Sequence, residues 1–108
     1  MTDAIVVLVT ASSAEEGARI AVALVTERLA ACVNLVGPIR SIYHWEGRVH
    51  DEAETLLVVK TGRDRFDALE RRVRELHSYD VPEVIAIPVE QGSLPYLDWI
   101  ARAVADGV

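Results

Sequence analysis

Residues 4–10 read A-I-V-V-L-V-T, and both alternating sets in this run are apolar: Ala4, Val6, Leu8 and Ile5, Val7, Val9. Its β-branched content and its length fit a strand, and apolarity on both sides implies a sheet covered on both faces. Ser12 and Ser13 follow, and Ser13 with Glu16 has the spacing of a capping box that opens a helix. Ala18, Ala21, Leu24, Val25 and Leu29 recur at helical spacing, which predicts a helix from about Ala14 to about Ala30.

Beyond it, Cys32 to Val36 reads as a second strand, interrupted at Gly37–Pro38, where the missing ladder donor calls for a bend or bulge. The chain resumes over Ile39–Trp45, turns at Glu46–Gly47 and returns over Val49–Lys60, which makes a long hairpin with a projecting tip. Phe66, Leu69, Val73 and Leu76 stripe a second helix ending near His77, and Val84–Val89 forms a fourth strand. Ser93 and Pro95 stand where a cap and an early helical proline belong, ahead of a short C-terminal helix carrying Leu97, Ile100, Ala101 and Val104.

The order is strand, helix, strand, strand, helix, strand, plus one helix. This is an α+β, ferredoxin-like βαββαβ sandwich with a long hairpin between its second and third strands, and residues 1–108 form one domain. Right-handed crossovers put both main helices on one face of the sheet. The other face has no layer of its own, so the two-sided apolar strands predict that other subunits cover it.

Composition excludes several classes. A net charge of −6 argues against a nucleic-acid partner. The five basic residues between Arg63 and Arg74 are interleaved with Asp64, Asp67 and Glu70, as on a solvated helix face. No apolar run approaches the roughly 20 residues that span a bilayer, and no signal-peptide pattern opens the chain, so no membrane partner and a cytoplasmic location are expected. Cys32 is the only cysteine, which rules out an internal disulfide and a multi-cysteine zinc site.

Polar residues of interest cluster in H77-S-Y-D-V-P-E83. His77 reads either as a helix C-terminus feeding a rigid turn or as a metal ligand, since imidazole suits copper, zinc and nickel. Cys32 reads as a buried, inert thiol or a soft copper ligand. His44 and His50 flank the hairpin tip and are expected to face solvent. Glu52 and Glu54, two apart on a strand, share a side, which serves either cation binding and acid–base work or protection of an edge; the edge role is the expectation. Lys60, the single lysine, suits an ion pair with one of these acids or an anionic ligand. Tyr43, Trp45, Tyr79 and Trp99 could line an apolar pocket with polar tips or pack between subunits. No phosphate-binding loop, nucleophile elbow or metalloprotease helix is present, and no catalytic set forms.

Five phrases together resemble the CutA family of divalent-cation tolerance proteins: E27-R-L-A-A-C-V-N34, S41-I-Y-H-W-E-G47, K60-T61, H77-S-Y-D-V-P-E83 and Y96-L-D-W99. They run in the family's order over nearly the whole chain. The resemblance implies a tight homotrimer whose hairpin reaches a neighbour, in the manner of trimeric PII-type signalling proteins with ligand clefts between subunits. It also implies a non-enzymatic role in tolerance to copper and other divalent ions, with no obligatory cofactor. Relatives with a proposed copper site place a cysteine near the end of the first strand and two adjacent histidines after the second helix. Here those positions are Val9 and Leu76–His77, so only a weak copper or other divalent-cation site, through His77 or Cys32, is expected. Tyr43, Trp45, Glu54, Lys60, Tyr79, Glu83 and Trp99 match the family's intersubunit cleft. The alternative reading is a PII-like sensor holding a small anionic metabolite near Lys60.

Overall fold

The computed structural model describes residues 2–105. Its elements are β1 (Ala4–Ala11), α1 (Ala14–Thr26), β2 (Cys32–Trp45), β3 (Arg48–Gly62), a 3-10 turn at Arg63–Arg65, α2 (Phe66–Leu76), β4 (Val84–Pro88) and α3 (Leu94–Ala103). The strands form one antiparallel sheet in the order β2-β3-β1-β4, the topology expected for the ferredoxin-like arrangement.

The alternation in β1 sorts its residues between two environments. Ile5, Val7 and Val9 turn towards the helices and are buried, together with Leu57 and Val59 of β3, Ile20 and Leu24 of α1, and Leu69 and Val73 of α2. The opposite set carries the second apolar face. Val6 and Leu8 are half-buried, and their β4 partners Ile87 and Ile85 are 48% and 53% exposed. Val58, level with Leu8, continues this surface into β3. One chain therefore leaves bare the sheet face whose cover the sequence predicts from outside.

Local differences from the sequence reading have identifiable causes. Helix α1 stops at Thr26, earlier than its periodicity predicts, because Arg28 takes a left-handed conformation (φ 60°). The Leu29 and Ala30 amides then turn back to the Leu24 carbonyl at 2.9 and 3.1 Å, which closes the helix while Leu29 still packs on the core. At Gly37–Pro38, whose peptide is cis, the β2–β3 register shifts between Val36 and Ile39, so the interruption is a bulge within one continuous strand. Ser93 occupies the N-cap position of α3, but its side chain makes no capping bond.

β1 ends at Ala11, paired with Thr55, so the β3 segment Arg48–Glu54 pairs with β2 alone. This two-stranded arm extends past the domain body, and the molecule measures 44 × 26 × 21 Å. Glu46 and Gly47 both have positive φ, as a two-residue type I′ turn requires. An Arg40–Asp51 pair at 2.7 and 2.9 Å clamps the two strands of the arm.

Candidate functional site: an acidic aromatic cavity at the root of the hairpin

The site begins at the end of β1, where three elements are tied together by buried polar groups. Ser13 Oγ accepts from the Glu16 amide at 3.1 Å, as the capping-box spacing predicts. The Glu16 carboxylate reaches past Ser13 and accepts from the amide and hydroxyl of Ser12, both at 2.9 Å, and from the Ser78 amide at 2.8 Å. Burial alone would raise its pKa, but the hydrogen bonds from Ser12 and Ser78 outweigh that cost and hold it at about 2.

His77 is buried beside this carboxylate. Its Nδ1 accepts from the Tyr79 amide at 3.0 Å, which assigns the proton to Nε2, the donor to the Thr10 carbonyl at 2.6 Å. Both ring nitrogens are thus engaged by backbone. The arrangement aims Tyr79 outward, and its hydroxyl donates to Glu54 Oε2 at 2.8 Å. On the arm, the Tyr43 hydroxyl donates to Glu52, and the Tyr43 ring stacks on His50 at 5.1 Å. Glu52 and Glu54 do lie on the open-edged part of β3, yet both carboxylates are taken up by tyrosine hydroxyls, and Glu54 is only 8% exposed.

Between the arm and the loop after α2 lies a cavity of about 570 Å³. Its walls include Tyr43, Trp45, Glu54, Tyr79, Asp80 and Glu83. Hydrogen bonding to Glu52, then burial and the charges of Glu52 and Glu54, push the Tyr43 hydroxyl up to about 12. Burial, followed by the hydrogen bond to Glu54 and its charge, also raises Tyr79. Glu83 is raised by burial and by Glu54. Neighbouring carboxylates contribute to each of these shifts beside burial.

Five of the seven expected cleft residues meet here; Lys60 and Trp99 do not. Lys60 lies six residues along β3 from Glu54, roughly 20 Å at strand spacing, and its ammonium donates to the Asn34 side chain instead of pairing with an acid. Trp99 meets Tyr96 in a tilted ring contact on α3, which packs where β1 begins and β3 ends, at the opposite end of the sheet. Cys32, half-buried, pairs with Lys60 at the level of Val6, whereas His77 sits at Thr10, so the two do not converge within one chain. No group of three or more His, Cys, Asp or Glu suited to a metal occurs among the described residues. His50 is drawn in against Tyr43 and lies 3.3 Å from the Trp45 carbonyl, while His44 is exposed.

Residues 5–103 match the family model described as CutA1 divalent ion tolerance protein. The chain belongs to this CutA1 family. It is 52% identical over 95 residues to the divalent-cation tolerance protein CutA of Thermus thermophilus, covering 88% of this chain and 92% of that one. It is 50% identical over 99 residues to the chloroplastic CutA 1 of rice and 47% identical over 100 residues to human CutA, covering 92% and 93% of this chain. The chain spans about half the length of these two relatives, 56% and 55%. Solved CutA1 structures from Thermus thermophilus and rice superpose with TM-scores of 0.92 and 0.94 at 48% and 46% identity. The match covers 94% and 98% of this chain, and 99% and 97% of theirs. One archaeal CutA structure, from Archaeoglobus fulgidus, is described as periplasmic. In this chain no described helix is long and apolar enough to cross a membrane.

Sequence reasoning singled out Tyr79, Asp80 and Glu83 within the 77–83 phrase and Glu54 by its spacing from Glu52, but gave Thr10 and Glu16 no place in the site. The capping box flagged Glu16 as a helix start. Its second task, holding the Ser78 amide 62 residues away, has no local signal.

Proposed function

We propose that this CutA1 protein acts without catalysis, as a cytoplasmic homotrimer, in the response to divalent metal ions, copper among them. The observation that carries this reading, beside family membership, is the bare apolar sheet face of Val6, Leu8, Val58, Ile85 and Ile87. A lone chain would leave that surface in water, and two further copies bury it. Multi-angle light scattering should return three times the 11.9 kDa of one chain. A monomer at micromolar concentration overturns the trimer.

Direct copper binding on this reading is weak. His77 reaches a metal only by giving up its bonds to Thr10 and Tyr79, and its nearest carboxylate, Glu16, is already saturated by donors. The Cys32 thiol is the freer soft donor. Competition titration with Cu(I) should give weak binding that Cys32→Ser removes and His77→Ala leaves in place. Tight binding that survives both substitutions refutes this assignment. The anionic-metabolite reading draws no support from this cavity, because within one chain Lys60 lies six residues along β3 from Glu54 on its acidic wall.

A further inference from the structure

We propose that the cavity between the arm and the loop after α2 is a binding site for a small organic cation, an amine or guanidinium carried on a compact body. The volume, about 570 Å³, lies within the range of small-molecule sites. Three aromatic rings, Tyr43, Trp45 and Tyr79, share its wall with the carboxylates of Glu54, Asp80 and Glu83, and none of the described lining residues is basic. Aromatic faces and carboxylates together attract an organic cation, which leaves water more readily than a hydrated metal ion and presents carbon surface to the rings.

Glu54 supplies an independent pointer. It is more than nine-tenths buried and lines the cavity, yet only its Oε2 has a donor, the Tyr79 hydroxyl. Among the described residues no hydrogen bond reaches Oε1. That oxygen is not sealed from water, and an ammonium or guanidinium N–H entering the cavity can take the place of water there with a charge-assisted bond. Glu83 stands on the same wall, has no basic partner among the described residues, and adds negative charge. Tyr79 keeps the Glu54 carboxylate in place, and its own ring is set by His77, 4.6 Å away. Neighbouring hydrogen bonds therefore fix the acid that meets the cation before any ligand arrives. This site stands apart from copper binding and holds whether or not the metal reading does.

The test is isothermal titration of the full chain in its native assembly with agmatine and with tetramethylammonium, against malonate and magnesium chloride as anionic and inorganic controls. At least one organic cation should bind, while malonate and magnesium give no heat from this site. Trp45→Ala and Glu83→Gln, both at exposed side chains, should each weaken binding about tenfold, and Glu54→Gln should abolish it. Binding should also fall as salt rises. No heat from either cation overturns the proposal, as does binding that Trp45→Ala and Glu83→Gln leave unchanged. If these variants alter the assembly mass and not the binding, the cavity is a contact between subunits and the proposal fails.

Discussion

The Tyr79 hydroxyl donates to Glu54 Oε2 at 2.8 Å, joining the loop after α2 to the root of the β2–β3 arm across 25 residues of sequence. Glu54 is almost fully buried, so this bond supports a carboxylate that water hardly reaches. Tyr79→Phe should cost about 1–3 kcal/mol, because it strands the acid without its donor. The Tyr79→Phe/Glu54→Leu double variant should recover part of that loss. Urea unfolding at a fixed protein concentration reads both, and equal stability of wild type and Tyr79→Phe would contradict the coupling.

Glu16 makes stability depend on acid. Its folded pKa, about 2, lies below the ordinary 4.5, so its contribution is complete above pH 4.5 and is lost as pH falls from there towards 2. Glu16→Gln should lower stability at neutral pH by about 1–3 kcal/mol and flatten the acid limb of the profile. Parallel wild-type and variant profiles across that window would refute the role.

Gly17 lies where α1 packs tightly on the sheet. A β-carbon there would stand 3.1 Å from Leu35 Cδ2, 3.2 Å from Thr55 Cγ2 and 3.3 Å from Leu57 Cδ1. Gly17→Val should destabilise by about 1–3 kcal/mol through overpacking, whereas Arg19→Val, on the exposed side of the same helix, should change little. Thermal unfolding of the pair separates crowding from helix propensity.

The bare sheet face predicts assembly. Ile85 is 53% exposed in one chain, so Ile85→Lys leaves the core of that chain intact while placing a charge where a neighbour would cover it. The variant should elute as a folded monomer with unchanged far-ultraviolet circular dichroism. A variant that retains the wild-type mass excludes this face from the interface.

Much of this molecule was legible along the chain because the decisive signals are local. The short β-branched apolar run at residues 4–10, the Ser13–Glu16 spacing and the Glu46–Gly47 turn each specify backbone geometry within a few residues, and the element order then leaves few topologies. Helix α1 ended early because Arg28 adopts a conformation that helical periodicity does not register. Gly37–Pro38 became a bulge because the hairpin pairing continues on both sides of it.

The sequence by itself determined the strand–helix order, the two-sided apolarity that demands outside cover, and the family to which the chain belongs. Tertiary structure alone decided which polar residues meet. Tyr79 finds Glu54, Glu16 finds Ser78 and His77 finds Thr10 across 25, 62 and 67 residues, while Lys60 and Trp99 are carried to the far end of the sheet. Such pairings follow from strand register and helix placement, which packing of the whole core sets.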